Sequence, residues 1–125
     1  MDNSDDFEIS FIFTRDELYT LILLHGEPAE AGKRFIAEAL AKAAPSDLLG
    51  LVDKKMAHEQ NGKIAIEPVI RMLGAAICKA DRIDHANDDI YIIYSPWITV
   101  KCERYPKIEN CMKLTPVKPD AKIKL

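Results

Sequence analysis

The 125-residue chain has few cysteines and glycines, little aromatic character and no long hydrophobic run. Its three cysteines, Cys78, Cys102 and Cys111, are an odd number at wide spacing, which excludes a disulfide framework and predicts reduced thiols. The five glycines are too scattered for a phosphate-binding loop, which needs closely spaced glycines before a helix. An apolar run such as residues 21–24 is far short of the roughly 20 residues that a membrane helix needs. Because the acidic start also lacks the features of a secretory signal, the sequence predicts a cytoplasmic protein without a membrane partner.

The chain also has no large excess of charge of either sign, because its net charge is only -3. The first 30 residues hold eight acidic residues and one basic residue, a net of -7, which leaves +4 for the remainder. The basic residues behind this mild bias are interleaved with acidic residues. Nucleic-acid binding instead needs clustered lysine and arginine to neutralise phosphates. The charge pattern therefore argues against a nucleic-acid partner.

The first part of the chain has the pattern of a strand followed by helices. Residues 7–13 alternate between apolar and other side chains, which predicts a half-buried strand. Thr14 and Glu17 have the spacing of a capping box, which predicts a helix over residues 15–25 that ends near His25. Apolar residues that recur every three or four positions predict three more helices, over residues 28–44, 46–56 and 68–83. A short extended segment is expected at residues 63–66, because Pro68 disfavours helical dihedrals just before it.

The last part of the chain changes to a period of two. After a polar turn at residues 84–89, strands are predicted over residues 90–94, 97–103 and 109–115. The predicted fold class is therefore α+β, in which an antiparallel sheet of the N-terminal strand plus a C-terminal β-meander packs on about four helices. We expect a single globular domain over residues 1–115 and a flexible tail over residues 116–125. The expected core consists of Phe11, Phe13, Leu18, Leu21, Ile22, Phe35, Ile36, Leu40, Leu51, Val52, Ile70, Leu73, Ile77, Ile92 and Val100.

No spacing of residues predicts catalysis, a cofactor or a metal. His25 is expected to interact with the last carbonyls of its helix, while His58 and His85 lie in polar turns, and none has the spacing of a metal ligand. The cysteines have no signature of a catalytic thiol and are expected to pack in the core. We therefore expect a protein that is not an enzyme and that has no catalytic residues, no cofactor and no metal site.

The remaining feature is a group of aromatic residues on the predicted meander. Tyrosine and tryptophan are frequent anchors of protein interfaces, and an unpaired sheet edge or an uncovered face is a template for another chain. Ordinary packing within the sheet is the alternative explanation. The period of two places Tyr91 and Tyr94 on opposite faces of the predicted sheet. The candidate protein-binding residues, for a protein partner or for self-association, are Tyr91, Tyr94, Trp97 and Tyr105.

Two segments carry a resemblance to a known family. Residues 13–26 read FTRDELYTLILLHG and residues 48–53 read LLGLVD, and the long fourth helix and the aromatic meander follow them. Over residues 7–115 this order resembles the N-terminal half of proteins of the EspG-like family. Those proteins are cytosolic chaperones or accessory factors of type VII secretion. The resemblance implies a chaperone-like factor that binds a protein. Because family members carry a second similar half, it also implies that this chain dimerises to complete its sheet.

A winged-helix module is the alternative interpretation. The first three helices, the short strand at residues 63–66 and a late hairpin as the wing fit its element order. The recognition helix would be residues 46–56, which offer Lys54 and Lys55 against Asp47 and Asp53. A helix that reads DNA needs more donors for base edges and phosphates. The sequence therefore favours the protein-interaction module.

Overall fold

The computed structural model describes residues 9–117, and these residues form strands and helices in an α+β arrangement. The strands are β1 (Phe11–Thr14), β2 (Ala57–Gln60), β3 (Lys63–Ile66), β4 (Arg82–Asn87), β5 (Ile90–Tyr94), β6 (Thr99–Arg104) and β7 (Cys111–Val117). The helices are α1 (Arg15–Leu23), α2 (Glu30–Ala39), α3 (Leu49–Asp53) and α4 (Pro68–Cys78). Within residues 9–117, no helix has the length and apolar content that crossing a bilayer requires.

The main sheet is antiparallel and has the strand order β1-β7-β6-β5-β4. β1 pairs with β7 in a register that places Phe11 opposite Leu114, so the first and last strands are neighbours. β2 and β3 form a separate hairpin. The predicted fold class, an antiparallel sheet that includes the N-terminal strand and packs on helices, is thus confirmed.

The core lies between the helices and one face of the main sheet. Most of the expected core residues are buried there, while Phe11, Ile36 and Val52 are partly buried against it. Ile92 is also buried, but it lies outside the core cluster, because β5 directs Tyr91 and Ile93 towards the helices instead. The run Ile-Tyr-Ile-Ile-Tyr has apolar side chains on both faces, so its pattern does not show which face is inward.

The start of α1 is fixed by the predicted capping box. The Glu17 amide donates to the Thr14 hydroxyl at 3.1 Å, and the Glu17 carboxylate accepts from the Thr14 amide at 2.9 Å. The Lys54 ammonium, which follows α3, lies 2.6 Å from the same carboxylate oxygen and 3.1 Å from the Ile12 carbonyl oxygen. Glu17 is buried, so this carboxylate joins β1, α1 and the end of α3.

Replacing Glu17 with alanine (E17A) is expected to lower the free energy of unfolding by about 1–3 kcal/mol, because the cap and the partner of Lys54 are lost together. The measurement is a urea melt. The matched control is Glu30→Ala, which removes an exposed glutamate from the first turn of α2 and should cost less than about 0.5 kcal/mol. Equal losses in the two variants would show that Glu17 does not stabilise this junction.

Two predicted helices are shorter than their apolar patterns suggest. The predicted helix over residues 28–44 is observed only from Glu30 to Ala39, with Pro28 before it, and Lys42 has a left-handed φ of 69°. The predicted helix over residues 46–56 is observed only as α3. The Ser46 hydroxyl and the Asp47 carboxylate accept from the amides of residues 48 and 49, and Leu48 has a φ of 65°. These polar side chains therefore hold a turn before α3 instead of capping a longer helix.

Two polar stretches that were expected to be turns are strands. Residues 57–60 form β2, which pairs with β3 around a turn at Asn61-Gly62, while β3 itself coincides with the extended segment expected at residues 63–66. The helix expected over residues 68–83 ends at Cys78, and most of the expected turn at residues 84–89 belongs to β4. β4 is an edge strand with mostly exposed side chains, so it needs no alternating apolar pattern.

Smaller differences occur at other boundaries. α1 ends at Leu23, and the strand expected over residues 7–13 begins at Phe11 in the described part, while residues 7 and 8 lie outside it. The expected tail at residues 116–125 overlaps β7, which includes Pro116 and Val117, while residues 118–125 lie outside the described part of the chain.

Candidate functional site: an apolar groove beside Trp97

The four candidate aromatic residues lie in different parts of the fold. Tyr91 is buried on the helix side of β5, where its ring meets Phe35 edge-to-face at 5.2 Å and stacks on His85 at 4.3 Å. Tyr94 lies on the opposite face, as its position in the strand predicted, with the Arg82 guanidinium 4.2 Å from its ring centre. The structure therefore gives these tyrosines packing partners within the chain.

Trp97 and Tyr105 lie at opposite ends of β6. Tyr105 follows the strand, and its amide donates to the Cys111 carbonyl at 2.9 Å. Trp97 precedes the strand, in the turn that joins β5 to β6, and 48% of its surface is exposed. Of the four, Trp97 is the most exposed, so it is the candidate best placed to meet a partner.

Tyr91 and Tyr94 do not lie on an edge strand of the sheet, because β5 is internal. β5 pairs with β4 on one side and with β6 on the other, so the edge strand next to the tyrosines is β4, and β1 forms the other edge of the sheet. β4 carries Arg82 and Asp84 and has an irregularity between His85 and Asn87, all of which are features that protect an edge from pairing. Addition of a partner strand beside Tyr91 and Tyr94 would require β4 to leave.

The turn that carries Trp97 is closed by its own hydrogen bonds. The Ser95 amide donates to the Ile98 carbonyl at 3.1 Å, and the Ser95 hydroxyl donates to the same oxygen at 2.6 Å. The hydroxyl also accepts from the Ile98 amide at 3.1 Å. Because Pro96 also restricts the backbone between them, the main chain that carries the indole is held in a short and well-bonded segment.

The indole borders a groove of about 300 Å³ along the outer face of α4. Pro68, Met72 and Ala75 lie three or four positions apart, so they share one face of this helix. The opposite face of α4 is buried in the core and includes Leu73 and Ile77. The groove is lined by His25, Pro68, Arg71, Met72, Ala75 and Trp97.

α4 is apolar on the outside as well as on the inside. Arg71 is the single charged residue among its eleven. A helix that is hydrophobic all round is normally buried, whereas a helix at the surface normally has a polar face. The exposed face of α4 therefore has the composition of a surface that another molecule covers.

The charges around the groove are positive. Burial lowers the pKa of His25, the Arg71 backbone partly offsets this by raising it, and the charges of Arg71 and Lys79 lower it again, so the pKa lies below its usual value and the neutral imidazole predominates at pH 7. Within residues 9–117, neither Arg71 nor Lys79 forms an ion pair. Glu67, which precedes α4, lies 3.5 Å from His58 of β2. The groove thus has a mainly apolar lining that includes one cation, Arg71, and a second cation, Lys79, follows at the end of α4; neither has an ion-pair partner in the described residues.

The positions of the cysteines and histidines in the described residues do not indicate a reactive centre. Cys78, Cys102 and Cys111 are free and buried, and burial raises the pKa of both Cys78 and Cys102, which keeps these two thiols protonated at neutral pH. His58 and His85 lie in strands, not in the turns that the sequence predicted. In the part of the chain that the structure describes, no three histidine, cysteine or acidic residues converge as metal ligands would.

The segment expected to read DNA does not form a long helix. α3 has five residues, which corresponds to about 8 Å of helix, a short element for major-groove recognition. Lys54, one of the two lysines expected to face DNA, is held by Glu17 and the Ile12 carbonyl. This part of the fold gives the winged-helix interpretation no support.

Comparisons of the chain with protein-family models, with curated proteins and with solved structures find no match. The candidate site therefore depends on the physical features of the groove.

Sequence reasoning selected Trp97 but missed the helix face beside it. Met72 and Ala75 have an ordinary helical spacing, and the period alone does not show that they lie outside the core. The signal that could have identified them is the scarcity of charge in residues 68–78, because a helix with one polar face would carry more than Arg71.

Proposed function

We propose that this chain is a non-catalytic protein-interaction module that binds its partner through the groove between Trp97 and the outer face of α4. The observation that carries the proposal is the apolar outer face of α4, next to a half-exposed indole. Tryptophan is among the residue types enriched at the energetic centres of interfaces, and here it borders a shallow apolar groove. The two thiols that burial keeps protonated agree with a role in binding and not in nucleophilic chemistry.

The wider role follows from the resemblance of residues 7–115 to the EspG-like family. We propose that the protein works in the cytoplasm as an accessory or chaperone-like factor of a type VII secretion system. Its partner is then a protein client or a second copy of this chain. A binding groove with no reactive centre suits such a factor, because a chaperone holds its client without changing it covalently.

Replacing Trp97 with alanine is expected to weaken association by about 2 kcal/mol or more, which is roughly thirtyfold in affinity, because the central anchor of the interface is lost. The measurement is a pull-down from the cytosol of the cells that make the protein, followed by titration of the captured partner and by light scattering of the protein alone. The free energy of unfolding should change by less than about 1 kcal/mol, because Trp97 is half exposed.

The matched control is Ile108→Ala. Ile108 is 55% exposed and lies beyond the opposite end of β6, so its loss should leave association unchanged. A protein that stays monomeric and captures no partner would contradict the proposal. So would capture of the same proteins, with the same affinity, by the wild type and by Trp97→Ala.

A further inference from the structure

We propose that the groove beside Trp97 binds an acidic segment of a partner protein, which inserts one apolar side chain between the indole and α4 and places its carboxylates against Arg71 and Lys79. This inference rests on the proposed function and specifies the chemistry of the partner.

The size of the groove favours a side chain over a cofactor. Its volume of about 300 Å³ lies at the lower limit of pockets that enclose small-molecule ligands, and the groove is shallow and largely open to solvent. Pro68, Met72 and Ala75 present only apolar atoms of their side chains along this wall. One leucine or phenylalanine of a partner would cover them together with the indole, while the rest of the partner segment stays at the surface.

The charges favour an acidic segment over a neutral or basic one. Arg71 lines the groove, and Lys79 caps α4 one helical turn beyond Ala75, with its amide donating to the Ala75 carbonyl at 2.9 Å, so it follows the same face of the helix. Glu67, the acidic residue next to α4, lies 3.5 Å from His58 of β2. A carboxylate on the partner would therefore meet two cations that residues 9–117 do not neutralise, whereas a lysine would be repelled.

A second copy of this chain fits the groove less well when it docks by the same face. A two-fold contact brings the same patch of both copies together, so the two Arg71 side chains and the two Lys79 side chains would approach each other. Like charges at a contact oppose association. The positive charge of the groove therefore favours a partner with an acidic surface over a second copy that docks by the same face.

The single tryptophan of the chain makes this charge measurable without any partner. Anions concentrate near a positive surface, so iodide should quench the fluorescence of Trp97 more strongly when Arg71 is present. In Arg71→Gln and in Lys79→Gln we expect the iodide quenching constant to fall by about two- to threefold at low salt, and the caesium constant to rise. The control variant Lys107→Gln changes an exposed lysine between β6 and β7 and should alter neither constant. Equal iodide quenching in the wild type and in Arg71→Gln would overturn the proposal.

Binding is tested with three labelled peptides that share a central Phe-Leu pair and differ in their flanks, which are Asp and Glu, Asn and Gln, or Lys. The acidic peptide should bind about three- to tenfold more tightly than the neutral one, and this ratio should fall towards one in Arg71→Gln or in high salt. Failure of the acidic peptide to bind, or equal binding of all three, would refute the inference about charge. If the neutral peptide binds as tightly as the acidic one and its binding still depends on Trp97, the inference about charge is overturned and the proposed function stands.

Discussion

Replacing Leu73 with alanine is expected to lower the free energy of unfolding by about 2–5 kcal/mol, which is the cost of removing a large side chain from a close-packed core. Leu73 lies in the middle of α4 and is completely buried. α4 packs against α1, α2 and the sheet, so a cavity at this position has walls on several sides and cannot collapse easily. The measurement is a urea melt in which the midpoint falls and the slope stays the same.

The matched control for Leu73 is Val69→Ala, on the same helix. Val69 is exposed, and alanine is the better helix former, so this change should cost less than about 1 kcal/mol. If Leu73→Ala also cost less than about 1 kcal/mol, then α4 would not be the centre of the core, and the assignment of its outer face to a groove would be wrong as well.

Replacing Gly74 with alanine is expected to destabilise the protein by about 1–3 kcal/mol, although the same change stabilises an ordinary helix by about 1 kcal/mol. A Cβ atom at this position would lie 2.6 Å from the Leu21 carbonyl oxygen and 2.9 Å from the carbonyl carbon. These are main-chain atoms of α1, so no side-chain rotation relieves the contact, and α1 must move away from α4. The measurement is again the free energy of unfolding from urea melts.

Ala75→Gly calibrates the helix propensity at the adjacent position, where a loss of about 1 kcal/mol is expected because glycine is the poorer helix former. Gly32→Ala is a second test of close packing, because a Cβ atom on α2 would lie 2.6 Å from the Ile77 carbonyl oxygen. A gain of stability in Gly74→Ala would show that α1 and α4 are farther apart than the structure places them.

The sequence predicted elements well where a local chemical signal marks their start. Thr14 and Glu17 defined the beginning of α1, since the capping box needs only four residues and no tertiary contact. Pro68 marked the start of α4 in the same way, because proline fits the first turn of a helix. The fold class followed from the order of these elements and from the change of period after α4.

The sequence predicted elements poorly where a tertiary contact decides the structure. The end of α4 is one case, because the Asp81 amide pairs with the Tyr94 carbonyl at 2.8 Å and thereby starts a strand next to β5. The inward face of β5 is another, because only the pairing of Tyr91 with Cys102 and the contact with Phe35 show which side faces the helices. Neither contact leaves a periodic signal in the sequence.

The candidate site was predictable only in part for the same reason. Trp97 stood out as the single tryptophan of the chain, next to Pro96. That it projects beside α4, and that Tyr91 and Tyr94 are occupied by packing, depends on the path of the turn and on the register of the sheet. The sequence therefore pointed to a residue type that suits an interface and did not show its surroundings.

Site-specific photo-crosslinking tests the central claim, that the groove beside Trp97 is where a partner binds. Ala75, in the wall of the groove, is replaced with the photoreactive benzoylphenylalanine, and exposed Ile108 is replaced with it in a control. After illumination in the cells that make the protein, the account predicts one discrete adduct from position 75, which disappears when Trp97→Ala is added, and none from position 108. No adduct at position 75, or the same adducts from both positions with and without Trp97, would contradict it.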